Sequence, residues 1–291
     1  MVLHGSSALV LPLKVGQHMT VSVVEQSMNP VVKWRARVLK ELWFDAEISV
    51  SDWTIRSATD MVVASKLLVL LQEAGNLNHR LFTDGCDFNI HTDTGFHNDW
   101  GLGSSSAVVA NIAQWAKINP FELLFRTFGG SGADIAAAIS PGPVHYRLLN
   151  HNPVYCSVAF QPAFLKNLWL VYLGNKQNTT KSVAAFKLNG NVSQKQIDTV
   201  DILTMNLIRA NSLDYFMNLV HEHELILSEI LGIPRIKESL FSDFPGEMKS
   251  LGAWGGDFAL AVSKSSHNEV REYFSNKGIH PVYSYSKLVM Q

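Results

Sequence analysis

A mixed α+β fold in two lobes is what this sequence predicts, on three observations. The chain has 291 residues, 47% hydrophobic and 17% charged, which suffices for a large core and for two lobes of roughly 150 residues each. Stretches of period two, rich in β-branched residues, and stretches of helical period both occur along it. They follow one another irregularly, without the regular βαβ alternation of a doubly wound sheet. The expected lobes are residues 1–155 and 156–291.

Met19–Val24 (MTVSVV) alternates and is β-branched, so it reads as a strand. Val38–Ile48 and Trp53–Ile55 read as further strand material, and Ala58–Glu73 carries apolar residues at helical spacing until the turn residues Ala74-Gly75-Asn76. Cys86–Thr92 alternates again and leads to a glycine loop, after which Ser104–Lys117 and Pro120–Phe128 have helical composition. Gly129-Gly130-Ser131-Gly132 separates these from the small-residue helix Ala133–Ile139, and Val144–Leu149 and Val154–Phe160 read as strands. The second half opens with the apolar strand Leu168–Leu173 and the polar stretch Asn175–Ser182. Helices follow over Ser193–Asn211 and Leu213–Leu231, stopped by Gly232-Ile-Pro234. Leu251–Val262 is a glycine turn entering a strand, Val270–Asn276 a helix and Val282–Tyr285 a last strand.

Composition excludes several classes of function. The hydrophobic content rules out disorder. Lys and Arg number 24 against 25 Asp and Glu, so no basic field exists to attract nucleic acid. Cys86 and Cys156 form neither a CxxC pair nor a disulfide framework. The N-terminus lacks a basic n-region and Pro12 breaks its apolar run, so it does not read as a signal peptide. No apolar run approaches the ~20 residues of a membrane helix, and the cytoplasm is the expected location.

The strongest chemical signal is Trp100-Gly-Leu-Gly-Ser-Ser-Ser-Ala107. Gly101 and Gly103 permit close backbone approach, Ser104, Ser105 and Ser106 supply hydroxyls, and a helix follows at once. The free N–H groups and positive dipole end of that helix make an anion site suited to phosphate. The loop is not a Walker A sequence, because no GK[ST] is present. A glycine turn that merely caps a helix is the alternative for these residues alone.

With its neighbours, this loop resembles the GHMP kinases, the superfamily of galactokinase, homoserine kinase, mevalonate kinase and phosphomevalonate kinase. Gly101-Leu102-Gly103-Ser104-Ser105-Ser106-Ala107 is similar to the family's ATP phosphate loop, and Lys249-Ser-Leu-Gly252-Ala-Trp-Gly255-Gly256-Asp257 to its third, glycine-rich motif. Gly130-Ser-Gly-Ala-Asp134-Ile-Ala-Ala-Ala138 resembles a stretch of the mevalonate and phosphomevalonate kinase branch. It comes nearest to a group named for its GYDIA sequence, with Ala133 where that group has tyrosine. Asn218–Gly232 resembles a family helix, so the similarity spans nearly the whole chain. It implies a two-lobed fold, with an N-lobe like the second domain of ribosomal protein S5 and a ferredoxin-like C-lobe.

The resemblance also implies roles. Asp134 is the expected general base, which orients the substrate hydroxyl and accepts its proton; a helix N-cap is the alternative on residue type alone. Ser104, Ser105 and Ser106 contact phosphates, and Ser105 is the expected ligand of Mg²⁺, a hard cation that needs only one or two protein oxygens. Glu122, twelve residues before Asp134, is a further metal candidate beside the reading of a solvated helix residue. Gly252, Gly255 and Gly256 form a second glycine wall, Asp257 follows as a turn residue, and Thr179, Thr180 and Lys181 lie where relatives carry a polar substrate loop. His221-Glu-His223-Glu looks metal-like, but i and i+2 point to different helix faces, so a solvated face is expected. His91 and His97 precede the loop and are expected at the surface, with lining of the nucleotide cleft as the alternative.

One departure stands out. Family members open with a lysine-bearing strand and a G-E-[YH] segment before a stretch like Val2–Leu9, and this chain begins at Met1, just after that point. The first strand is therefore expected to be missing, and Lys14 is no substitute. Either Met1 is internal to a longer protein, which is the favoured explanation, or the enzyme is impaired. The leading function is an ATP- and Mg²⁺-dependent kinase of a small acid, mevalonate- or phosphomevalonate-like, with a homodimer as the one assembly considered. A non-catalytic nucleotide- or metabolite-binding protein and a diphosphomevalonate decarboxylase-like enzyme are the alternatives.

Overall fold

The structure is a computed structural model that describes residues 1–174, 192–252 and 257–290. It is a mixed α+β chain, with three sheets among the described residues, and it divides into two compact units. One unit contains Val15–Asn98 and Leu102–Ile139; the other contains Met1–Lys14, Asp99–Gly101 and Ser140–Gln291. Compactness thus groups the chain differently from the sequence-order lobes 1–155 and 156–291. The reason lies in β1 (Ala8–Val10), which pairs with β7 (Val144–Leu149), itself paired with β8 (Asn152–Ser157). The Ser7 N–H donates to Asp201 at 2.6 Å and Arg147 pairs with Asp201 at 2.9 Å, tying this small sheet to the helix that carries Asp201.

In the unit of 15–98 and 102–139, five strands lie in the order β2-β6-β3-β4-β5. They are β2 (Gln17–Gln26), β3 (Val31–Val38), β4 (Glu41–Ser49), β5 (Ile55–Ala58) and β6 (Cys86–Thr94); β3 runs parallel to β6 and the other pairs are antiparallel. Alternation sorts the sheet into two faces. Val32, Trp34, Ala36, Phe44, Ala46, Ile48, Phe88 and Ile90 are buried, while Lys33, Arg35 and Arg37 are exposed. Helices α1 (Met61–Leu77), α2 (Ser104–Ala116), α3 (Pro120–Thr127) and α4 (Ala133–Ile139) complete the unit. α1 buries Ala64, Leu67, Leu71 and Ala74, the stripe its period predicts. Its N-cap is Asp60, whose Oδ1 accepts the N–H groups of Val62 at 2.8 Å and Val63 at 3.1 Å. Asp60→Ala is expected to lower stability by about 1 kcal/mol, read as a lower urea midpoint at unchanged slope, whereas Asp60→Asn restores most of it.

In the other unit, a four-stranded antiparallel sheet runs β10-β11-β9-β12. Its strands are β9 (Leu168–Tyr172), β10 (Gly246–Ser250), β11 (Phe258–Ser263) and β12 (Val282–Ser284). Helices α5 (Gln194–Arg209), α6 (Leu213–Leu231), α7 (Ile236–Leu240), α8 (His267–Asn276) and α9 (Tyr285–Leu288) accompany it. Trp169, Val171, Phe241, Phe244, Met248, Ala259, Ala261 and Phe274 form one buried cluster.

Local differences from the sequence reading have physical causes. The strand expected over Val38–Ile48 straddles a hairpin, because Leu39 and Lys40 both take positive φ (51° and 75°) and turn β3 into β4. Trp53 is likewise at φ 53°, so β5 begins at Ile55, beyond it. α1 continues through Gly75, where a Cβ would stand 3.2 Å from the Phe82 ring; the glycine there makes room for an aromatic side chain and does not stop the helix. β8 ends at Ser157, short of Phe160, and β10 precedes the glycine turn where no strand was expected.

Candidate functional site

The loop 101–107 begins in one compact unit and ends in the other. Its head is seated on the sheet of β9, β11 and β12. The Tyr172 hydroxyl donates to the Asp99 carbonyl at 3.4 Å, and the Trp100 ring lies 5.6 Å from Tyr172 and 6.0 Å from both Phe258 and Tyr283. Gly101 follows at φ 61°, and a Cβ on it would overlap the Asp257 carboxylate. Both the angle and the lack of space require glycine. Asp257, expected as a turn residue, is therefore the floor under the start of the loop.

The tail of the loop opens α2. Gly103 is its N-cap at φ 78° and has no side chain to cap the helix. The first internal bond runs from the Ala107 N–H to the Gly103 carbonyl at 3.0 Å, so the N–H groups of Ser104, Ser105 and Ser106 precede the helical ladder. Ser105 is exposed, Ser104, Leu102 and Ala107 are half-buried and Ser106 is buried.

Asp134 lies beside this loop, in the same compact unit: a Cβ built on Gly103 would stand 3.9 Å from the Asp134 Cβ. Asp134 is in the first turn of α4 and is not its N-cap, for the helix already includes Ala133, whose N–H donates to the Ser131 hydroxyl at 3.4 Å. The residue keeps an exposed side, yet the protein crowded around it strips water from the carboxyl and raises it above the ordinary aspartate range.

The other expected residues are placed as follows. Glu122 is exposed on α3 and held by Arg126 at 2.7 Å, which also reaches Glu73 at 3.8 Å. Gly252 takes φ 63°, and a Cβ on it would meet no described residue within 4 Å. Gly255, Gly256, Thr179, Thr180 and Lys181 lie outside the described residues. Among the described residues no three His, Cys, Asp or Glu side chains gather as a metal site, and no helix is long and apolar enough to cross a membrane. His91 is exposed, as expected.

The solvated face expected for His221–Glu224 is corrected by the structure. His221 and Glu222 do lie at the surface, but His223 and Glu224 are 8% and 1% exposed and turn inward. The Lys249 ammonium is 3.2 Å from His223 Nδ1 and donates to Glu224 Oε1 at 3.2 Å, and the Ser250 N–H donates to Glu224 Oε2 at 3.2 Å. The signal was in the spacing. Phe216, Val220, His223, Glu224 and Leu227 share one helical stripe, so a helix that buries the apolar members buries the polar ones too.

Burial, and secondarily the Lys249 charge, holds His223 well below the ordinary histidine value of 6.5. A base with a depressed folded-state value is neutral when folded, so its contribution to stability is complete above 6.5 and is lost as the unfolded chain takes up a proton below it. We expect the urea midpoint to fall between about pH 7.5 and about pH 5.5, and His223→Asn, which keeps an acceptor for Lys249, to flatten that fall.

No family model and no curated protein sequence matches this chain. Solved structures do. The mevalonate kinase of Methanococcus jannaschii superposes with a TM-score of 0.68 at 12% identity, covering 100% of this chain and 93% of that one. The L. major mevalonate kinase in complex with R-mevalonate gives 0.65 at 17% identity, covering 100% and 91%. The Streptococcus pneumoniae phosphomevalonate kinase in complex with phosphomevalonate and AMPPNP gives 0.64 at 14% identity, covering 95% and 97%. At such identities the likeness speaks for the fold, and it agrees with what the motifs at 101–107, 130–138 and 249–257 imply: this chain has the fold of the GHMP kinases.

Proposed function

We propose that this chain is an ATP-dependent small-molecule kinase, transferring the γ-phosphoryl group to a hydroxyl or phosphate oxygen of a small acid of the mevalonate or phosphomevalonate type. The observation that carries the reading is the juxtaposition of Asp134 with Gly103, which sets a carboxylate beside an uncapped helix N-terminus. Phosphoryl transfer asks for little more from a protein than positioning and charge neutralisation, and these are the parts for it.

In this reading the N–H groups of Ser104, Ser105 and Ser106, with the α2 dipole, hold the phosphates; the absence of a side chain at Gly103 lets them approach the backbone, and Gly101 sets the start of the loop on Asp257. Leu102 and Ala107 flank these contacts, and Gly252, Gly255 and Gly256 are assigned to nucleotide binding on the family resemblance of their motif. Asp134 orients the attacking hydroxyl and takes its proton at a carboxylate oxygen. The residues fit a magnesium nucleotide: no cluster of acidic side chains is needed where phosphates and water supply most ligands, and the exposed Ser105 hydroxyl offers the one protein oxygen. Mg²⁺ bound there would neutralise charge on the transferring phosphate. Glu122 is given no part. The cytoplasm is the proposed place of work.

The test is ADP release with Mg²⁺ and ATP across mevalonate, phosphomevalonate, homoserine and simple sugars. Acceptor-dependent turnover with one of the small acids supports the proposal. A protein that binds ATP firmly and turns over none of them is a nucleotide-binding protein instead.

A further inference from the structure

The pair of buried Glu224 and half-buried Lys249 has no place in the chemistry just described. Among the described residues, β10 is at one edge of its sheet. The Leu251 N–H donates back across the turn to the Phe258 carbonyl at 3.1 Å, so the Ser250 N–H, one residue earlier, faces the open edge. Glu224 Oε2, carried on α6, accepts that N–H at 3.2 Å, and Oε1 accepts from Lys249 at the same distance. The strand therefore ends on a carboxylate at an edge where no further strand of the described residues pairs with it.

What lies across the turn is the seat of the phosphate loop. Phe258, the partner of Leu251, touches the Trp100 ring, and Asp257 lies against Gly101. The Asp257 carbonyl is in turn bonded by the Leu173 N–H at 2.9 Å. A continuous path of named contacts thus runs from Glu224 through Ser250 and Leu251 to Phe258, Trp100 and Gly101, all within one compact unit. We infer that Glu224 is a positioning residue, whose carboxylate fixes the end of β10 and thereby the seat on which Trp100 and Gly101 hold the head of the phosphate loop. Its meaning for catalysis rests on the nucleotide reading of that loop; the mechanical coupling does not.

The experiment compares two double variants. Glu224→Leu with Lys249→Met removes both charges together, which spares the fold the cost of one unpaired buried charge, and deletes the acceptor for Ser250. Glu224→Gln with Lys249→Met removes the same charges but keeps an acceptor. Two quantities are read on each: amide exchange over 99–101 and 250–252, and affinity for AMPPNP. We expect the Leu/Met protein to exchange about tenfold faster over both segments and to bind AMPPNP about tenfold more weakly, and the Gln/Met protein to return to within about twofold of wild type. Faster exchange confined to 250–252, with 99–101 unchanged, would show a purely local bond and overturn the inference. If the wild-type protein binds no AMPPNP, the nucleotide reading fails, and the exchange comparison still decides the coupling by itself.

Discussion

Asp134→Asn lowers kcat about 10³-fold and leaves nucleotide affinity within about threefold, because the amide keeps the shape of the side chain and loses its capacity to take a proton. Two further signatures separate this from a damaged fold. The surrounding protein raises the Asp134 carboxyl above the ordinary value of 3.8, and a base works only when ionised. The acid limb of kcat/KM therefore lies above 3.8 in the wild type and disappears in the residual activity of the variant. The second signature is stability. A carboxyl raised on folding makes the folded state the better proton acceptor, so its ionisation opposes folding as pH rises through the folded-state value. Asp134→Asn is expected to be as stable as the wild type at neutral pH, or more so, and urea titration reads it directly.

The second large effect belongs to Gly101. Gly101→Val meets two obstacles at once: a branched side chain at φ 61°, and the Asp257 carboxylate where its Cβ would stand. Either Asp257 is driven off or the Trp100–Gly101 segment lifts from its seat, and in both cases the phosphate loop starts from a different place. We expect nucleotide affinity to fall about 100-fold, roughly 3 kcal/mol, with near-ultraviolet circular dichroism retained. Relieving the overlap with Asp257→Ala on top of Gly101→Val should recover only part of the loss, since the backbone angle still disfavours valine. Affinity unchanged in Gly101→Val would show that the head of the loop does not touch the nucleotide.

The sequence was most legible where one residue type dictates one geometry. The loop 101–107 shows its helix start because glycines and serines followed by an apolar periodic run leave few alternatives, and α4 and α6 begin and end where their patterns do. The sheet edges were less legible. β3 and β4 merged into one strand because the turn at Leu39-Lys40 uses neither Asn nor Gly, and β10 was hidden by a mixed pattern in which Lys249 and Glu247 turn toward helices and not toward water. The largest failure was at His223 and Glu224. Charged residues on a helix usually face solvent, and nothing local told these two that Lys249, a strand away, would meet them. Their burial depends on tertiary pairing, which spacing along one helix can hint at but cannot specify.

Phosphoryl transfer at the loop 101–107 is tested by mass spectrometry of the acceptor acids after incubation with Mg²⁺ and ATP, for the wild type and Asp134→Asn. One small acid is expected to gain a single phosphate in step with ADP formation, and the variant to form about 10³-fold less of it in the same time. Equal product from both proteins would contradict the role of Asp134, and firm ATP binding with no phosphorylated acceptor would contradict the kinase itself.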